Sequence, residues 1–242
     1  MDAALRRGKP FYGPEAPNWA FAWFIRAVPA RILLLLWRVR VIGKENLPRE
    51  GGAILCANHV SMLDSVMLWC SQLPKQPHFV AKSELYNVSG TKGRLLGWFL
   101  DMVGAFPVER GTADRTMILQ ASDLLRGGEW VMIFPEGTRK KDGVVSAEMG
   151  EALGGAAYLA QRIGVPVIPI GIAGTEKIMV EGNKLPRFPR VTIVIGAPID
   201  PAEFEGRRKE KVKHITDVLM EQIHELRDLA RALNGDVISH EG

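Results

Sequence analysis

Cysteine is scarce in this 242-residue chain. Cys56 and Cys70 are the only two, and both lie inside apolar segments without the paired spacing of a zinc or redox motif. That excludes a disulfide framework and a cysteine-built metal centre, and predicts two reduced core thiols in a cytosolic protein. An uninterrupted hydrophobic run of spanning length is also missing. The stretch 19–37 is mostly apolar and aromatic, but Arg26, Pro29 and Arg31 break it, and a spanning helix needs about 20 predominantly apolar residues. A large charge of one sign is absent as well: 31 Lys and Arg against 27 Asp and Glu leave +4, with a pI near 9.1. This is far from the dense basic patches of a dedicated nucleic-acid binder, and fits anionic small molecules or an anionic membrane surface better. The N-terminus lacks the short apolar region and small-residue cleavage site of a signal peptide. Internal repeats and low-complexity tracts are absent too.

What is present begins with a leader of biased charge. Through Ile42 the basic residues Arg6, Arg7, Lys9, Arg26, Arg31, Arg38 and Arg40 face only Asp2 and Glu15. A helix pair buried against the domain would account for the apolar residues but not for this excess. Residues 1–42 therefore read as an amphipathic helical segment that docks on membranes in plane or as a hairpin. Residues 43–242 read as one α/β domain, with short β-rich runs alternating with helical ones. Strands are expected at 38–42, 53–57, 78–81, 103–107, 130–134, 165–170 and 191–195, making a mostly buried mixed sheet of about seven strands flanked by helices. The helices are expected at 62–73, 92–100, 114–126, 148–163 and 207–233. The last is the clearest, because Val212, Ile215, Leu219, Ile223, Leu226, Ala230 and Leu233 recur at three- and four-residue spacing before Asn234-Gly235. Pro166 and Pro169 in the sixth strand suit an edge or a bend.

Chemistry is sought at the strand ends. After the apolar run Ala53 to Ala57 comes Asn58-His59-Val60-Ser61-Met62-Leu63-Asp64, and His59 alone of five histidines has an Asp five residues later. On this window alone Asp64 reads best as a helix cap, as does Ser61. Further on, a strand delivers Glu109-Arg110, and another breaks into Phe134-Pro135-Glu136-Gly137-Thr138-Arg139. A neutral imidazole within reach of a hydroxyl takes its proton as it attacks a carbonyl, and a carboxylate behind the ring holds the tautomer. Arg110 and Arg139 are suited to phosphate oxygens, although single arginines after strands are commonly surface ion pairs.

Taken in this order, the four blocks at His59–Asp64, Glu109-Arg110, Phe134–Arg139 and Val165–Ile170 resemble the motifs of the glycerolipid acyltransferase family, most closely the bacterial 1-acylglycerol-3-phosphate acyltransferases. His59 and Asp64 match the family's His-x4-Asp pair, and Phe-Pro-Glu-Gly-Thr-Arg stands intact. Glu109 replaces the more common Asp with its charge kept. Ala81-Lys82-Ser83-Glu84-Leu85 is similar to another family segment, whereas Ala152-Leu153-Gly154-Gly155 lacks the lysine that members often carry there.

The resemblance implies acyl transfer from acyl-CoA, or from acyl-carrier protein, to the free hydroxyl of lysophosphatidic acid. In it His59 is the base, Asp64 the orienting acid, and Lys82, Arg110, Glu136, Gly137, Thr138 and Arg139 bind substrate. Ser61 reads as a neighbour rather than a nucleophile. No metal or cofactor beyond the donor substrate is expected, and no nucleic acid; the expected partners are membrane lipids and the two substrates, at the cytoplasmic face of the cell membrane. Glycerol-3-phosphate or another lysophospholipid as acceptor, thioester or ester hydrolysis through Ser61, and a catalytically idle membrane-binding module are the competing readings.

Overall fold

The computed structural model describes residues 24, 28–71, 73–82, 85, 88–102, 104–108, 115–134, 147–179 and 185–236. Its frame is a seven-stranded sheet of β1 (Arg40–Ile42), β2 (Ala53–Ala57), β3 (Pro77–Lys82), β4 (Phe106–Val108), β5 (Trp130–Ile133), β6 (Val167–Ala173) and β7 (Thr192–Ile195). The spatial order is β1-β7-β6-β2-β5-β3-β4. Every pairing is parallel except β6 with β7. Six helices accompany it among the described residues: α1 (Pro29–Leu36), α2 (Leu63–Cys70), α3 (Gly90–Met102), α4 (Arg115–Arg126), α5 (Ala147–Ile163) and α6 (Arg208–Asn234). The mixed α/β architecture and the strand count are those read from the sequence, with element ends shifted by a few residues.

The sheet is covered on both faces, which is why its central strands are apolar throughout rather than alternating. All five residues of β2 are buried, and successive side chains enter different cores. Ala53, Leu55 and Ala57 join Met67, Leu68 and Trp69 of α2, whereas Ile54 and Cys56 join Ala121 and Leu125 of α4, Ala157 of α5 and Ile215 and Ile223 of α6. Cys56 and Cys70 are both buried, as expected. Burial pushes the Cys56 thiol far above its ordinary pKa, so it stays protonated in the core.

α6 realises its sequence pattern directly: Ile215, Leu219, Ile223 and Ala230 are buried, and the helix ends at Gly235 with φ 83°. It lies across β6 and β7. Its approach is so close that a Cβ on Gly171 would stand 2.2 Å from the Arg227 nitrogen, so only glycine fits at that point of β6.

The prolines of β6 correct one expectation. β6 is an inner strand, between β2 and β7, not an edge. Pro169 is tolerated there because its carbonyl accepts from Gly196 N at 2.9 Å, so the side lacking an N–H faces β7, just outside the β6–β7 ladder that runs from Ile170 to Ala173. On its other side β6 remains in register with β2.

Candidate active site

Parallel pairing aligns the carboxyl ends of β2, β3, β4, β5 and β6 along one edge of the sheet, the edge where open α/β sheets bind ligands. The His59–Asp64, Lys82, Glu109-Arg110 and Phe134–Arg139 segments lie at or follow one of those ends in sequence, whereas Val165–Ile170 leads into and begins β6. β2 leads into Asn58-His59, β3 ends in Lys82, β4 ends in Val108 before Glu109-Arg110, and β5 leads into Phe134 and the Pro135–Arg139 run. The backbone of Lys82 pairs with Val108. Arg110, Glu136, Gly137, Thr138 and Arg139 lie outside the described residues, as does the side chain of Lys82.

The turn that presents His59 is built by Asn58. After Ala57 the main chain leaves the sheet, and the buried Asn58 amide takes the place of the next ladder rung. Its Nδ2 donates to Ile172 O at 2.9 Å and its Oδ1 accepts from Ile172 N at 2.7 Å. The strand end is thereby fastened to β6 with no orphaned backbone groups at Ile172. His59 then projects beyond the sheet, with one face of its ring stacked on Phe134 at 4.4 Å between centroids and 28° between planes.

Asp64, in the first turn of α2, completes the pair. Its Oδ2 lies 2.9 Å from His59 Nδ1 and also accepts from Val60 N and Ser61 N, both at 2.8 Å. The helix-cap reading of Asp64 is corrected: the N-cap of α2 is Met62, with no side-chain cap bond, and the Asp64 oxygen instead closes the loop amides before the helix and faces the imidazole. Its other oxygen, Oδ1, accepts from the Thr175 hydroxyl at 2.5 Å. The carboxylate is 0% exposed while the His59 side chain keeps 21% of its surface open. Burying an unpaired carboxylate costs several kcal/mol, and here four donors offset that cost, each bond to a charged group contributing about 1.5–3 kcal/mol.

An ionised carboxylate only accepts hydrogen bonds, so Nδ1 carries the ring proton and Nε2 of neutral His59 is left with its lone pair. That is the tautomer a general base requires. Ser61 is placed as a local partner: its Oγ accepts from Leu63 N at 3.3 Å, and its backbone N–H serves Asp64.

His78, the other histidine at a strand, makes a useful contrast. It is fully buried, its Nδ1 faces Gly104 O at 3.2 Å, and burial pulls its pKa below the ordinary value. A neutral ring shut away from solvent is a core residue. A surface cavity of about 300 Å³ lined by Arg31, Leu34, Leu35, Lys44 and Ser71 shares no residue with the His59 site. Among the described residues no cluster of His, Cys, Asp and Glu is arranged to hold a metal ion.

The sequence reading missed Thr175 and the role of Asn58. Asn58 was visible as the neighbour of His59, but Thr175 is 111 residues from Asp64 and follows an ordinary glycine.

Known proteins share this chain's fold and the sequence span that carries it. A family model described as Acyltransferase matches residues 38–173, a span that begins before β1 and ends with β6. The 1-acyl-sn-glycerol-3-phosphate acyltransferase of Bacillus subtilis is 33% identical over 196 residues, 81% of this chain and 91% of that protein. Its namesake from Streptococcus pneumoniae is 26% identical over 85% of this chain and 74% of its own length. Among solved structures, the 1-acyl-sn-glycerophosphate (LPA) acyltransferase PlsC of Thermotoga maritima superposes with a TM-score of 0.58 at 26% identity, covering 86% of this chain and 88% of that one. With the matched span enclosing both the His59–Asp64 pair and the strands that position it, the chain belongs to the acyltransferase family.

Proposed function

We propose that this enzyme transfers a fatty acyl group from acyl-CoA to the free hydroxyl of 1-acylglycerol-3-phosphate, giving phosphatidic acid. The observation that carries the reading is the partly open His59 backed by a buried, four-donor Asp64 just past the carboxyl end of β2. The names of the relatives supply the acceptor.

In the reaction, His59 Nε2 removes the proton from the acceptor hydroxyl as its oxygen attacks the thioester carbonyl. The imidazolium is stabilised by Asp64. The tetrahedral intermediate then collapses, the C–S bond breaks, and the imidazolium returns its proton to the departing CoA sulfur. No protein nucleophile takes part, and the position of the Ser61 hydroxyl at the start of α2 supports that economy. Presenting acyl-CoA with lysophosphatidic acid, glycerol-3-phosphate and lysophosphatidylcholine in turn tests the acceptor. Phosphatidic acid from the first, with little product from the others, is expected; preference for either alternative overturns the assignment.

Arg110 and Arg139 bind the acceptor phosphate in this reading, with Lys82, Glu136, Gly137 and Thr138 around it. Arg110→Ala and Arg139→Ala should each raise the acceptor KM by about 10–100-fold, the loss of one charge-assisted bond. An unchanged KM in both variants would remove the phosphate role.

The leader is the membrane-docking element. In its described part, α1 exposes Ile32, Leu35 and Leu36, with Val28 exposed just before it, beside exposed Arg31 and Arg38, an apolar and basic face suited to an anionic interface. No helix among the described residues is long and apolar enough to cross a membrane. Deleting residues through Ile42 would also remove β1 from the sheet, so Ile32→Asp with Leu35→Asp is the cleaner probe. The double variant should lose most of its co-sedimentation with anionic liposomes; undiminished sedimentation would show that anchoring lies elsewhere.

A further inference from the structure

We infer that Thr175 is a positioning residue for the acyl transfer, its hydroxyl fixing the catalytic carboxylate from the far side; the inference rests on the His59–Asp64 reading above. Three donors converge on Asp64 Oδ2, and all three belong to the segment 59–61. These bonds hold Oδ2 from the loop side, and none of the three reaches Oδ1. The bond from Thr175 Oγ1 holds Oδ1 from the opposite side, at the end of β6. Because an ionised carboxylate cannot donate, the hydroxyl proton must point at Asp64.

The fold spends structure on this contact. Thr175 is completely buried and opens the short 3-10 turn Thr175–Lys177 directly after β6. Gly174 makes the reversal, with φ 99° and no room for a side chain, since a Cβ would stand 2.1 Å from Arg190 O. Its N–H is held by Glu176 Oε2 at 2.8 Å. Two residues upstream, Ile172 is bonded at both its N–H and its carbonyl by Asn58. The end of β6 is therefore fastened to the catalytic loop at Asn58 and again at Asp64, on either side of His59 in sequence. Asn58 sets the height of the loop, and Thr175 sets the angle of the carboxylate that aims the imidazole. Misaiming matters because a reacting group displaced by about 1 Å loses on the order of 10²-fold in rate.

The test compares Thr175→Val with Thr175→Ser in the full-length protein. Valine keeps the shape without the hydroxyl, and serine keeps the hydroxyl with one methyl fewer. The valine variant should lose about 10–100-fold in kcat, the value of one hydrogen bond to a charged group, with the KM values for donor and acceptor unchanged. The serine variant should stay within about threefold of wild type. Histidine ¹⁵N spectra supply a readout independent of turnover, in which the Nδ1–H resonance of His59, which faces Asp64 Oδ2, keeps its wild-type shift with serine and moves with valine. Wild-type kcat in the valine variant, or equal loss in both variants, overturns the role of the hydroxyl. His59→Ala separates the two levels: full activity there overturns the catalytic pair and Thr175 with it, whereas an inactive His59→Ala beside an active Thr175→Val overturns Thr175 alone.

Discussion

His59→Ala should lower kcat for acyl transfer by about 10²–10⁴-fold, the range that a positioned general base contributes. The fold should survive, since the ring lies at the mouth of the site, 21% exposed and stacked on Phe134, and none of the strand pairings depends on it. The loss should appear in kcat, because the imidazole contributes while the proton is moving and adds little to ground-state binding. Removing the ring leaves Asp64 with Val60 N, Ser61 N and Thr175 Oγ1 as donors, enough to keep the loop closed. A melting temperature near that of wild type should accompany the lost turnover.

Asp64→Asn should be nearly as damaging for a different reason. The asparagine carbonyl oxygen, turned to the position of Oδ2, still accepts from His59 Nδ1, Val60 N and Ser61 N. Its amide then faces Thr175 Oγ1, and a hydroxyl can accept as readily as it donates. Geometry and tautomer are therefore retained while the charge is lost. The imidazolium formed during attack then sits beside a buried neutral amide. Taking one member from a buried ion pair costs about 3–5 kcal/mol, roughly 10²–10⁴-fold in rate. Kinetics at saturating substrates, with the His59 tautomer followed by ¹⁵N spectra, check both halves of this expectation. A variant that keeps more than half of the wild-type kcat would show that the carboxylate charge plays no part.

The legible part of the molecule was written locally. β2 and β5 announce themselves as unbroken apolar runs because helices cover both faces of the sheet, and α6 through a stripe that the structure buries at Ile215, Leu219 and Ile223. The His59–Asp64 pair was legible because His59 sits in the short loop after β2 and Asp64 in the first turn of α2, so their close spacing brings them together. Pro169 misled, since its tolerance depends on where the β7 ladder stops, and that is a property of the partner strand. Thr175 was invisible for the same kind of reason. A threonine after a glycine has no local pattern, and it gains a role only when β6 pairs beside β2 and brings its end to Asp64. Asn58 lies between these cases: its place beside His59 could be read, but its two bonds to Ile172 needed the register of the sheet.

One measurement bears most directly on the proposed chemistry: mass-spectrometric quantification of phosphatidic acid made from acyl-CoA and lysophosphatidic acid, with wild type and His59→Ala in parallel and an arm lacking acceptor. The expected result is phosphatidic acid from wild type, about 10²–10⁴-fold less per unit time from the variant, and no free fatty acid or acylated protein when acceptor is withheld. Phosphatidic acid at the wild-type rate from His59→Ala, or acyl release that ignores the acceptor, would contradict direct transfer by the His59–Asp64 pair.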